Sequence, residues 1–145
     1  MSKKTRSEGN RVACLIKANK AEFYIADVDL EDDTSDVILA KENVVKTLGK
    51  TKCAFLLISA GVTNLTVTVH VPVELQDKIN KDEWLSQSIK NLQSVTENET
   101  AIVKEDTPFK LKDIVRANGF KYLSEKGLMG DESSDELEDL IPGFW

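Results

Sequence analysis

The sequence predicts an α+β domain, an antiparallel sheet of about four to five strands with two or three helices on one face. Three observations predict it. Cys53–Ser59 is an unbroken apolar run of strand length. Leu65, Val67, Val69 and Val71 alternate with Thr66, Thr68 and His70, a period of two that gives one apolar and one polar face. Apolar residues then recur at helical spacing, first at Leu75 and Ile79, next at Leu85, Ile89 and Leu92, and last at Leu111, Ile114 and Val115.

Residues 1–10 are basic and polar, which predicts a disordered N-terminus. Arg11–Val28 reads as a hairpin. Val12, Cys14 and Ile16 alternate on one arm, Phe23 and Ile25 lie on the other, and Ala18-Asn19-Lys20 forms the turn. Six carboxylates crowd residues 27–36 and predict a solvated acidic loop. Val37-Ile38-Leu39 favours strand, but Val44, Val45 and Leu48 have helical spacing and Gly49 suits a C-terminal cap, so a helix is expected over 40–48.

The run Cys53–Ser59 reads as a central strand, Ala60–Asn64 as a turn, and the alternating stretch as the second arm of an antiparallel hairpin. Pro72 can open a helix. A break is expected near Asn80-Lys81, where Asn80 and Glu83 form a capping-box pattern. Ala101-Ile102-Val103 predicts a short edge strand. Thr107 and Pro108 start the last helix, Leu111, Ile114 and Val115 form its buried face, and Asn118-Gly119 marks its end. Phe120, Tyr122 and Leu123 then fold back onto the core. Gly127–Gly130 is the boundary, so a single domain spans 11–130 and an acidic tail spans 131–145.

The chain has 145 residues and a net charge of −6, with 19 basic and 25 acidic side chains. Asp131, Glu132, Asp135, Glu136, Glu138 and Asp139 supply six of the acids, leaving residues 1–130 with 19 of each sign. The body is electrically balanced and the tail holds the whole excess.

These features restrict chemistry more than they assign it. No apolar run is long enough to span a bilayer, and Val12–Ile16 is too short for a signal-peptide core, so a cytoplasmic or nuclear protein without membrane contact is expected. Cys14 and Cys53 each sit in an apolar segment, which predicts two buried, reduced thiols. No Cys/His cluster suggests zinc. The acidic loop has alternating carboxylates, but Asp32 and Ile38 stand where a calcium-binding loop needs glycine and glutamate. No glycine-rich phosphate cradle occurs. His70, the only histidine, is expected to be exposed on the polar strand face with no nucleophile assigned to it. No catalytic residue, metal or cofactor follows from these residues.

Two binding surfaces do follow. In the tail, Leu137, Leu140, Ile141, Phe144 and Trp145 accompany six carboxylates, which predicts either an aromatic end folded back onto the domain's own core or an acidic leash whose apolar tip docks on a protein partner. The stretch Asp135–Trp145 resembles the acidic, aromatic-ended tips of single-stranded-DNA-binding proteins. That likeness covers eleven residues and implies partner recruitment by the tail. The alternative surface is basic. Lys41, Lys46, Lys50 and Lys52, with Lys112 and Arg116 on the last helix, predict an RNA-, single-stranded-DNA- or ribosome-associated factor, although no RNP motif, GXXG loop or zinc knuckle accompanies them. The leading expectation is a non-enzymatic adaptor or assembly factor that uses its sheet face and tail. An enzyme of unrecognised type would instead need a pocket around His70 or Cys53.

Overall fold

The computed structural model describes residues 2–30, 33–104 and 107–128. The boundary at 131, the tail residues Leu137, Leu140, Ile141, Phe144 and Trp145, and Glu31 and Asp32 of the acidic loop lie outside the described residues. The elements follow the order α1 (Lys3–Asn19), β1 (Phe23–Asp27), α2 (Thr34–Leu48), β2 (Ala54–Ala60), β3 (Asn64–His70), α3 (Lys81–Ser88), β4 (Ser94–Glu97), β5 (Thr100–Lys104) and α4 (Pro108–Glu125). A short 3₁₀ turn, Val73–Leu75, follows β3.

The chain starts as a helix, not as a disordered stretch leading into a hairpin. Ser2 caps α1, its hydroxyl accepting from the Thr5 amide at 3.1 Å. Thr5, Gly9, Val12, Ala13 and Ile16 are buried, a stripe three to four residues apart that fits one helix face. The alternation Val12/Cys14/Ile16 misleads because Cys14 is exposed while Ala13 is buried. Gly9 is needed where α1 crosses α2. A Cβ there would lie 2.7 Å from Asn43 Nδ2 and 3.1 Å from the Ala40 carbonyl. Asn43 closes the contact by donating to the Arg6 carbonyl at 3.1 Å and Asn10 Oδ1 at 2.9 Å.

The helix expected over 40–48 begins earlier, at Thr34, and absorbs Val37-Ile38-Leu39. Two residues of the acidic loop explain its start, with Asp33 Oδ1 accepting from the Asp36 amide at 3.0 Å. Carboxylates in a first helical turn also suit the positive end of the helix dipole. This longer α2 changes the sheet. It provides the crossover that parallel strands require, and β1 pairs parallel to β2 in the register Phe23↔Ala54 to Asp27↔Ile58. The remaining pairs are antiparallel, so the five-stranded sheet is mixed, in the order β1-β2-β3-β5-β4.

Among the described residues four helices, not two or three, cover the sheet, and they lie on both faces. Phe55, Leu57 and Ala26 face Val12, Ile16, Val37 and Val44 of α1 and α2. Leu56, Ile58, Val67 and Val103 face Trp84, Leu85, Val115, Tyr122 and Leu123 of α3 and α4. This explains the unbroken apolar run in β2, which is buried on both faces. It also explains the hydroxyls of β3, since Thr66 and Thr68 are buried beside α2 and β5. Thr66 Oγ1 lies 3.3 Å from Thr34 Oγ1, and Thr68 Oγ1 lies 2.9 Å from Thr100 Oγ1.

On the other face, Asn80 caps α3 by accepting from the Glu83 amide at 3.0 Å, as its sequence pattern predicts. The last helix runs through Asn118-Gly119 to Glu125. Gly119 is a contact, not a stop. A Cβ there would meet Ile25 Cδ1 at 2.8 Å, and the Gly119 carbonyl accepts from Trp84 Nε1 at 3.3 Å. Tyr122 and Leu123 join the core as part of α4, whereas Ile114 is exposed. Among the described residues, no helix is long and apolar enough to cross a membrane.

Candidate partner-binding groove

The layers of helix do not match in width. On β5, Ala101 and Val103 point toward α3 and α4 and are buried. Ile102 points to the opposite face and is half-buried. Val95, its cross-strand partner on β4, is 68% exposed. Helices α1 and α2 cover β1, β2 and the near side of β3, then stop. Among the described residues nothing covers the outer part of that face, which forms one side of a groove of about 1010 Å³.

His70, Thr100, Ile102, Val95 and Glu97 form the groove's floor, and Thr34, Ile38, Lys41, Glu42 and Val45 of α2 form its wall. The hairpin turn Asn98-Glu99 and the start of α3, Lys81-Asp82, close one end. Asn98 has a φ of 55°, the left-handed conformation that asparagine tolerates in a two-residue turn. Strand β4 was not expected from the sequence. It takes the edge position assigned to Ala101–Val103, which becomes the penultimate strand β5. Among the described residues, the outer edge of β4 has no strand neighbour.

Glu99 organises the closed end. Its backbone carbonyl accepts from the Val69 amide at 3.0 Å and from Thr68 Oγ1 at 3.1 Å, which fixes the turn against β3. Its carboxylate takes Lys41 Nζ of α2 at 3.0 Å on Oε1 and Lys81 Nζ of α3 at 2.9 Å on Oε2. One side chain thus ties the hairpin to helices from both layers. Burial pushes the Glu99 carboxyl up, but the Lys81 and Lys41 ammoniums outweigh it and hold the group below the usual carboxylate range. Lys81 is correspondingly raised by its hydrogen bond to Glu99 and the carboxylate's charge.

His70 stands beside this trio. Its ring lies 5.3 Å from that of Phe55, its partner in the β2–β3 register. Burial lowers its pKa against the pull of Glu99, and the nearby Lys41 and Lys81 lower it further. At neutral pH it therefore contributes a hydrogen-bonding ring edge without charge. The groove combines half-buried aliphatic side chains, hydroxyls, a neutral imidazole and, among the described residues, an unpaired strand edge. Such a set can hold an extended chain by backbone pairing and shallow apolar contacts.

The six basic candidates do not share a surface. Lys41 is in the groove with its side chain only 11% exposed and paired to Glu99. Lys46 and Lys50 are exposed on and after the last turn of α2. Lys52 pairs with Glu74 at 3.1 Å. Lys112 and Arg116 belong to α4 in the other helical layer. Arg116 pairs with Asp27 Oδ2, Lys112 lies 3.8 Å from the same oxygen, and Lys112 Nζ sits 4.2 Å over the Phe109 ring. Of the thiols, Cys53 is buried as expected and pushed up to about 12 by burial, with a smaller contribution from Glu22, while Cys14 is exposed. Among the described residues no acidic, Cys or His cluster is placed to hold a metal ion.

No protein-family model matches this chain, and no curated protein matches it. The functional reading therefore rests on the groove. Sequence reasoning singled out Lys41 and His70 but missed Val95, Glu97, Glu99 and Lys81. The available signal was Asn98-Glu99 set between Val95 and Ile102, a two-residue turn between short alternating stretches.

Proposed function

We propose that this protein is a non-enzymatic adaptor or assembly factor that holds a protein partner on the open outer face of its sheet, with the acidic, apolar-tipped tail as a second contact. The observation that carries this reading is the uncovered β5–β4 face. Val95 is 68% exposed on an edge strand, Ile102 beside it is half-buried, and Thr66 and Ser59 further along the same row are buried. Open sheet edges are liabilities unless blunted or occupied, and partner strands commonly occupy them. β4 is short, which limits the hazard, but it carries neither proline nor lysine. The ion pairs at Lys41, Lys52, Lys112 and Arg116 favour a protein partner over a nucleic-acid backbone, since four of the six basic candidates already face carboxylates.

The test is site-specific photo-crosslinking in cells with p-benzoylphenylalanine at position 95, at position 145, and at Val62, an exposed control outside the groove. The expected result is one discrete protein adduct from position 95, joined by position 145 where the tail takes part. Adducts equal to those from position 62 would remove the reading.

A further inference from the structure

Resting on that reading, we propose that the groove's occupant is an extended basic segment of the partner protein, which pairs with β4 as a sixth strand. Its groove-facing residues alternate between an aliphatic side chain and Lys or Arg.

The charges at the groove select this chemistry. Lys41 and Lys81 are both engaged by Glu99. The other charged groups lining the groove are Glu42, Asp82 and Glu97, all exposed carboxylates, and none forms an ion pair among the described residues. His70 is neutral at physiological pH. The rim is therefore acidic around an aliphatic strip formed by Val95, Ile102, Ile38 and Val45. A nucleic-acid strand would bring phosphates to these carboxylates. A second copy of this chain would bring Glu42, Asp82 and Glu97 against themselves. The chain's own segment 131–145 contributes six further acids. Like charges in close juxtaposition disfavour all three.

The register gives the pattern. Val95 and Glu97 point into the groove because they oppose Ile102 and Thr100, which line it, whereas Ser94 and Thr96 oppose Val103 and Ala101 on the other face. A strand added beside β4 lies about 4.8 Å away and places alternate residues on the groove face. The residue opposite Val95 extends the aliphatic strip. The residue two positions along meets Glu97. Residues between these face Ser94 and Thr96 and are small and polar.

The test uses the full-length ¹⁵N-labelled protein and three synthetic peptides. One is basic, Ac-TKTVTKT-NH₂; one is its acidic counterpart, Ac-TETVTET-NH₂; the third is the basic peptide with alternate backbone nitrogens methylated. The basic peptide is expected to shift the amides of Ser94–Glu97 and Thr100–Val103 and to bind about tenfold more tightly than the acidic one, with the preference shrinking in high salt. Backbone methylation abolishes binding because it removes the ladder donors, and Glu97→Lys reverses the charge preference. Equal binding of basic and acidic peptides, or shifts that avoid β4, would overturn the proposal. So would concentration-dependent β4 shifts without peptide, which identify a second copy, or β4 shifts caused by Trp145→Ala, which identify the tail. Partner crosslinks at position 95 with no peptide binding would defeat the basic strand while leaving the adaptor reading intact.

Discussion

Replacing Glu99 by Gln removes one charge from the point where α2, α3 and the β4–β5 turn meet. The substitution is isosteric and leaves the backbone bonds from Val69 and Thr68 in place. The two lysines should respond unequally. Lys41 has a side chain only 11% exposed, so its ammonium depends on the carboxylate at 3.0 Å, whereas Lys81 is 40% exposed and can return to water. A charge-assisted hydrogen bond to a largely desolvated group contributes about 1.5–3 kcal/mol, and an exposed pair contributes under ~1 kcal/mol. Glu99→Gln is therefore expected to cost ~2 kcal/mol, a fall of roughly 4–8 °C in Tm for a chain of this size. Adding Lys41→Met should recover most of the loss, because removing both members of a part-buried pair is less costly than orphaning one. Urea denaturation of the double-mutant cycles is the assay. The expected coupling is ~2 kcal/mol for Lys41–Glu99 and under ~1 kcal/mol for Lys81–Glu99. Couplings in the reverse order, or a Lys41–Glu99 value below ~0.5 kcal/mol, would refute the assignment of Glu99 as the groove's anchor.

His70 titrates below its ordinary value in the folded protein because burial opposes its charge. The unfolded chain therefore takes up a proton first as pH falls below about 6.5, and stability declines through that window; His70→Gln should flatten the decline in urea midpoints measured between pH 7 and 5. Glu99 acts in a lower window, because its depressed carboxyl supports the fold above the ordinary carboxylate range and loses that contribution as pH drops through the folded value. Stability measured from pH 5 downward should fall less steeply in Glu99→Gln than in the unaltered protein. Gly119→Val drives two methyl groups toward Ile25, Ser88 and Trp84, and should cost about 1–3 kcal/mol with a change in near-ultraviolet circular dichroism from the displaced indole. Cys14 should react with a thiol reagent in the native state while Cys53 reacts only on unfolding; equal native rates would contradict their placement.

The β2–β3 hairpin, the cap of α3 and the start of α4 were legible because each is specified locally, by alternation, by Asn80 with Glu83, and by Thr107-Pro108. The first helix was not. Its buried stripe includes Thr5 and Gly9, which no hydrophobicity pattern marks, and its apolar centre also satisfies a strand period over 12–16. Missing α1 and the first turns of α2 hid one helical layer, and with it the crossover that makes β1 parallel to β2. Gly119 read as a stop because its value is a tertiary contact with Ile25 and Trp84. The sequence of β4, Ser-Val-Thr-Glu, holds too little apolar content to announce a strand. The groove was illegible for a related reason. Its central ion pair joins Lys41 to Glu99, 58 positions apart, and only the folded register brings them together.

The most direct test of the account is amide hydrogen exchange at β4 in the complex captured through position 95. Protection of Ser94–Glu97 on binding, with little change at β1, is the predicted result. Unchanged exchange at β4, with protection confined to other surfaces, would contradict the claim that this open edge is where the partner is held.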